Sequence, residues 1–517
     1  MGFAFHEEIW KNAVLLESQG QFRYRGGSWR ASYSYMQHKK AASSSTVRRG
    51  GTEKEEKEEE KKEEEEKSRP RMFSVKANGL FSDLLYLPWM CVTQPVDPAW
   101  LTTDNITRVD AHTLSQAVFR ERFETPNLPV LIRGATDSWT ALRDWTPEYM
   151  AKVYTHRDVT VNNARIPYAE YAHYAGAQQD ELPLYMFDPY FADHHVAHND
   201  HDRNSSGTGP RTGSGGGDAE DDDDDEANNN PMSGAYSVPS FFGEDAFTLL
   251  DEAHRPHHRW LIVGPDRSGS SFHKDPNESC AWNAVIRGTK KWIMYPPGII
   301  PPGVQASEDG ATVSTPLSLM EWFVNFYHHT KSGVIPVRPI ECLCREGEMV
   351  FVPRGWWHMV LNLGPSVAIT QNFLPPSGLR VALKLLATKD PNLISGVPEA
   401  DRPHLYQRMM QVLQGTPKGR AMLQRSQQIE DDKAEQLKER RKVASLFDHH
   451  HHRHPSNAAH PGTGVEIERN DEDEEDAKTK INGGGFQFGF PCAGGDNLRG
   501  EKKNTHTTTT SPFRFGF

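Results

Sequence analysis

The sequence predicts a mainly β domain with flanking helices and long disordered segments. Short strand-like runs recur between Arg259 and Phe373, glycine and proline separate them, and a sustained helical pattern begins only after Ser377. Several short strands bounded by turn residues point to a barrel or jelly roll. Only 36% of the 517 residues are hydrophobic, and the mean hydropathy is −0.69. A chain this polar is not expected to fold throughout its length.

The formal net charge of −12 is concentrated. Asp218 to Glu226 holds eight acids and Asp471 to Asp476 holds six, with no lysine or arginine in either run. The remainder is close to neutral, which gives no support to a nucleic-acid or membrane surface. No apolar run is long enough to span a bilayer, and residues 1–20 lack a signal-peptide pattern. The five cysteines contain no C-x-x-C pair, which fits a reducing compartment. Cys342 and Cys344 alternate on one face of an expected strand, where burial is the expectation.

Taken in order, residues 1–45 carry an apolar patch (Ile9, Trp10, Val14, Leu15, Leu16) suited to a short helix that docks onto something. Residues 46–71 form a charged linker. A globular composition starts at Met72. Asp110 to Glu124 reads as an amphipathic helix, and Asn127 to Gly134 as a short buried strand ending in a glycine turn. Thr146 is placed to cap a helix. Pro183 to Asp188 reads as a further strand. Residues 189–236 pass through histidine-rich, glycine/serine, acidic and asparagine-rich segments, and are expected to be a disordered surface insertion.

Folded sequence resumes at Ser237, so residues 72–376 less the insertion form one expected domain. Strands are expected at Arg259 to Val263, Ala281 to Ile286, Lys291 to Tyr295, Glu348 to Val352 and Val367 to Phe373. Residues 377–446 read as C-terminal helices. Residues 447–517 read as a disordered tail with a histidine run, an acidic run and two Phe-Gly-Phe endings.

The chemistry is expected in Gly264 to Pro296 and around Arg354-Gly-Trp-Trp-His358. His273 and Asp275 are two residues apart, so on a strand they share one face. His358 stands before an apolar run on a distant strand. Two imidazoles and one carboxylate make the facial triad of a non-haem Fe(II) site, with three adjacent positions left open. Lys290 opens an apolar strand, where a buried cation needs an anionic partner. Trp282 and Trp292 are expected to pack.

Gly264 to Pro296 and Pro353 to Phe373 resemble the Jumonji-C (JmjC) family of Fe(II)- and 2-oxoglutarate-dependent oxygenases, in the cupin superfamily. The similarity is greatest to the bifunctional arginine demethylase and lysyl-hydroxylase branch. Pro183 to Asp188, Val238-Pro-Ser-Phe-Phe and Ala368 to Phe373 also match that branch. The resemblance covers residues 85–376 without the insertion. It implies a double-stranded β-helix, with His273, Asp275 and His358 as iron ligands. It further implies that Lys290 pairs with the distal carboxylate of 2-oxoglutarate, that Thr370 and Tyr185 donate to it, and that Asn283 and Ser270 line the cosubstrate pocket. The cofactors implied are Fe(II), 2-oxoglutarate as cosubstrate and O2.

The activity implied is hydroxylation or demethylation of lysine or arginine side chains in a protein substrate, either a histone or an RNA-associated protein. Lys274, between the ligands, departs from the animal members and is similar to plant and fungal relatives. Those relatives often carry an F-box, and Phe22 to Arg30 resembles the segment that follows it. Two other readings stay open: a tRNA-nucleoside hydroxylase of the same superfamily, and a non-catalytic adaptor. The basic clusters at 67–71 and 438–442 leave a nuclear location as the expectation, and the C-terminal helices leave a homodimer open.

Overall fold

The computed structural model describes residues 7–46, 87–193, 230–307 and 312–451, apart from isolated positions within these ranges. The charged linker, most of the 189–236 insertion and the tail beyond His451 lie outside the described residues. The chain divides into two compact units at Asp432/Lys433, and the second is described only through the last residues of the helix Pro417–His451. No described helix is long and apolar enough to cross a membrane.

Two sheets carry the first unit. The first strands are β1 (Arg108–Asp110), β2 (Val130–Arg133), β3 (Asp158–Val161), β4 (Ala164–Pro167) and β5 (Met186–Asp188). The central strands are β6 (Arg259–Gly264), β7 (Gly269–His273), β8 (Cys280–Arg287) and β9 (Thr289–Tyr295). The two-residue strands β10 (Gln305–Ala306) and β11 (Val313–Ser314) pair with each other. The last are β12 (Ile340–Arg345), β13 (Met349–Val352), β14 (Trp357–Asn362) and β15 (Ser366–Phe373). The large sheet runs β1-β2-β13-β8-β15-β6-β5-β3-β4, and the small one β12-β9-β14-β7. Every pairing is antiparallel except β1 with β2.

The two sheets share an apolar layer. Leu131, Ala281, Val285, Val350 and Val352 come from the large sheet, and Trp292, Met294, Cys342, Cys344 and Val360 from the small one. The arrangement is the jelly-roll alternative. Among the described residues the sheets form no closed barrel. Each sheet also buries its outer face. Phe272, Ile293, Tyr295, Trp357 and Met359 of the small sheet pack with Leu319, Trp322 and Phe323 of the helix Leu319–Phe326. Burial on both faces explains why these strands read as near-continuous apolar runs rather than clean alternation.

The N-terminal apolar patch docks onto the same unit. Helices Glu7–Ser18 and Trp29–Thr46 and the segment between them place Val14, Phe22, Tyr24 and Trp29 in one cluster with Tyr174 and Met186. The anchor is the buried carboxylate of Asp180. Trp29 Nε1 donates to it at 2.8 Å and Tyr174 Oη at 2.7 Å, and the Lys11 ammonium lies 3.5 Å away.

Asp110 to Glu124 is not one helix. A short turn at Ala111–Thr113 is followed by a restart at Ser115, whose hydroxyl accepts from Val118 N, and the last turn Arg120–Glu124 widens to π geometry. Side-chain capping at Asp110 and Ser115 divides a pattern that reads as continuous. After the sheets, Leu379–Ala387, Leu405–Gly415 and the start of Pro417–His451 bury Leu379, Leu386, Leu405, Met409, Leu413 and Met422 in one cluster with Ala246, Phe247, Leu250 and Leu374.

Candidate metal and cosubstrate site

His273 ends β7, and His358 is the second residue of β14. The two strands are antiparallel neighbours with His358 opposite His273, which sets the imidazole centroids 4.1 Å apart. Asp275 follows β7 in extended backbone, so its side chain returns to the face that carries His273. One ligand-type atom from each of the three lies within 4.8 Å of the others. Among the described residues no other group of three or more histidines, cysteines or carboxylates does this.

Both imidazoles are held in one tautomer. His273 Nδ1 lies 2.7 Å from the Ser271 carbonyl, and His358 Nδ1 lies 3.1 Å from the Trp356 carbonyl. A carbonyl only accepts, so each Nδ1 carries the proton and each Nε2 is the unprotonated nitrogen. Such backbone contacts to the far nitrogen commonly orient metal-binding histidines. Burial pushes both imidazoles down to about 4, and in His273 the neighbouring His358 adds to the effect. They are therefore neutral donors near pH 7. Burial raises the Asp275 carboxyl, while His273 and the Asn372 amide oppose the rise. Asp275 Oδ2 is buried without a hydrogen-bond partner, an uncompensated cost that a cation would remove.

The cavity beside these ligands runs between the sheets and is lined by Tyr185, Ser270, Asn283, Lys290, Trp292 and Thr370, among others. All five residues named by the resemblance for the cosubstrate thus meet in one place. Lys290 is completely buried. Its ammonium donates to Tyr185 Oη and Asn362 Oδ1, each at 2.9 Å, and among the described residues no carboxylate pairs with it. A buried cation held only by neutral acceptors suits an anionic ligand. Thr370 Oγ1 donates to the Trp282 carbonyl at 3.0 Å. Asn283 Oδ1 is buried and without a partner. The donor set fits a divalent iron, and the lysine end fits the far carboxylate of a diacid.

One residue does more than the sequence reading gave it. Trp292 lines the cavity with its Nε1 buried and without a partner, rather than serving only as packing. Trp282 does pack, stacked on Phe242 on the outer face of the large sheet. Lys274 does not enter the cavity. Strand alternation turns it to the outer face, where its ammonium lies 4.8 Å from the centre of the Trp357 ring. Asn362 and Asn372, which no motif singled out, lie at the two ends of the site.

A family model described as a cupin-like domain matches residues 115–378. The arginine-specific demethylase JMJ22 of Arabidopsis thaliana is 37% identical over 405 residues, covering 78% of this chain and 68% of that protein. The bifunctional arginine demethylase and lysyl-hydroxylase psr-1 of Caenorhabditis elegans is 32% identical over 330 residues, 59% of this chain and 73% of its own. The 2-oxoglutarate and iron-dependent oxygenase JMJD4 of Mus musculus is 26% identical over 275 residues, 50% of this chain and 58% of its own.

Proposed function

The chain belongs to the JmjC-type cupin-like family of Fe(II)- and 2-oxoglutarate-dependent oxygenases, and from that premise we propose that it hydroxylates or demethylates lysine or arginine side chains of a protein substrate. One observation carries the reading: three metal-ligand atoms and a buried lysine without a carboxylate converge on a single cavity.

When bound, iron and 2-oxoglutarate supply the oxidant, with 2-oxoglutarate and O2 giving succinate and CO2 as a substrate C–H bond is hydroxylated. The protein's share is binding, orientation and exclusion of water. His273 and His358 would present Nε2 to the metal, because their Nδ1 protons are committed to backbone carbonyls. Asp275 would supply the anionic ligand. Lys290 would hold the distal carboxylate of the cosubstrate by a charge-assisted hydrogen bond. Tyr185 accepts from that lysine, so its own hydroxyl proton remains for the same carboxylate. Burial on both faces of the small sheet keeps the ligand strands rigid and dry.

The names of the relatives support arginine and lysine as targets. A hydroxylated N-methyl group sheds formaldehyde, whereas a hydroxylated lysine carbon retains its oxygen. Histone tails and arginine/serine-rich RNA-associated proteins are the substrates we carry forward, with nuclear residence supported by the basic cluster at 438–442. The C-terminal helices bury apolar residues against one another and against Ala246, Phe247 and Leu250, so we do not extend the proposal to a homodimer through them.

The test is mass spectrometry of methylated histone-tail and Arg/Ser-rich peptides after incubation with the chain, Fe(II) and 2-oxoglutarate. A product one oxygen heavier identifies hydroxylation, and one a methylene lighter identifies demethylation. Succinate formation that no such peptide stimulates would overturn the substrate class.

A further inference from the structure

We propose that Asn362 is the positioning residue of this site: it holds the Lys290 ammonium aimed into the cavity without pairing its charge, and so determines the preference for a dicarboxylate. The inference rests on the reading of the cavity as a 2-oxoglutarate site.

Asn362 ends β14, four residues after His358, and lies opposite Lys290 on β9. One strand therefore carries a metal ligand and the support of the lysine on the same face, with Val360 between them. Asn362 is completely buried. Its backbone N–H donates to the Ser268 carbonyl at 2.8 Å, and its own carbonyl accepts from Arg267 N at 3.0 Å, which fixes the end of β14 to the turn before β7.

The direction of its amide is set from outside the cavity. Ser268 Oγ donates to the Pro265 carbonyl at 2.6 Å, and a carbonyl only accepts. The hydroxyl proton being committed there, Ser268 Oγ is an acceptor toward Asn362 Nδ2, 2.9 Å away. Asn362 Oδ1 must then face Lys290. The chain of bonds has one polarity from end to end, and it ends on the ammonium as a neutral acceptor. A carboxylate at the same distance would satisfy the same hydrogen bond but cancel the charge, and an incoming ligand carboxylate would then compete with an internal one. An amide holds the lysine in place and leaves its charge for the ligand. Space here is limited as well: a Cβ on Gly264 would stand 2.3 Å from Ser268 Oγ and 2.7 Å from the Tyr185 ring.

The experiment measures Kd for 2-oxoglutarate and for 2-oxopentanoate, which has the same chain without the distal carboxylate. Wild type, Asn362→Asp and Ser268→Ala are compared, each loaded with Mn(II), together with kcat for succinate formation on Fe(II). Asn362→Asp should cut the diacid-over-monoacid preference ~10-fold or more, the weight of one charge-assisted hydrogen bond, with Mn(II) affinity unchanged. Ser268→Ala, which touches neither lysine nor ligand, should cut it by a smaller factor with kcat unchanged. A preference in Asn362→Asp within twofold of wild type would overturn the inference. So would a preference in Ser268→Ala equal to wild type, should the aspartate variant not fold. Wild type that binds neither acid would overturn the cosubstrate reading itself.

Discussion

Lys290→Met separates binding from stability at one position. The wild-type ammonium is fully buried and, among the described residues, has only Tyr185 Oη and Asn362 Oδ1 as hydrogen-bond partners. Holding a cation there costs several kcal/mol of desolvation in the absence of an anion. Methionine fills much of the same volume without that cost. It leaves the tyrosine and the asparagine short of a donor, worth ~1–3 kcal/mol each. The opposing terms are similar in size, so the ligand-free protein should unfold within about 2 kcal/mol of wild type. Cosubstrate affinity has no such compensation. Losing one charge-assisted bond costs ~1.5–3 kcal/mol, which is roughly 10- to 150-fold in Kd. Thermal unfolding with and without 2-oxoglutarate reads both quantities. At 100 times its Kd the ligand stabilises wild type by about 2.7 kcal/mol, and at the same concentration Lys290→Met should show only about 0.3–1.4 kcal/mol, the range set by that loss in Kd. Wild-type affinity in the variant, or a loss of more than about 4 kcal/mol in the ligand-free protein, would refute the reasoning, since the first leaves the lysine without a ligand role and the second makes it a structural cation.

Three further outcomes follow from other parts of the molecule. Trp29→Ala should destabilise the unit by ~3–5 kcal/mol, the usual cost of emptying a buried aromatic site, because the indole is fully buried and also bonds Asp180; chemical denaturation checks it, and a loss below about 1 kcal/mol would mean the N-terminal helices are not part of the core. Glu181 is raised to about 7, first by burial, with the nearby Glu321 adding to it and a hydrogen bond from Ser318 opposing it. Its contribution is complete below the unfolded value near 4.5 and is lost as pH rises through about 7. Glu181→Gln should therefore flatten the fall in Tm between pH 5 and pH 8.5, and an unchanged profile would remove the carboxyl as its cause. Lys274→Met should leave kcat and the KM for 2-oxoglutarate within about twofold of wild type, as for a surface change, because the side chain rests on Trp357 outside the cavity; a larger change in either would give it a role in the site.

The site was legible where local geometry speaks. A strand pleat brings His273 and Asp275 to one face, and the strands Cys280–Arg287, Thr289–Tyr295 and Ser366–Phe373 extend the expected runs by only a residue or two. Asn362 was silent because its meaning lies in strand register. Nothing beside it in the sequence shows that it stands opposite Lys290. Asp180 was silent for a similar reason, since its donors Trp29 and Lys11 lie more than a hundred residues away. Trp292 packs between the sheets as expected and also lines the cavity; the second role is silent in the sequence because an indole that lines a cavity and one that fills a core have the same local pattern. The 110–124 segment reads as one helix because its apolar spacing is helical, yet capping by Asp110 and Ser115 competes locally with helix continuation.

The most direct test of the central claim is succinate formation from 2-oxoglutarate by the full chain with Fe(II) and O2, wild type beside His273→Ala. The account predicts stoichiometric conversion of 2-oxoglutarate to succinate and CO2 by wild type, and none above background by a variant that keeps its fold but lacks one metal ligand. Succinate at the wild-type rate from His273→Ala, or none from folded, iron-loaded wild type with or without peptide, would contradict it.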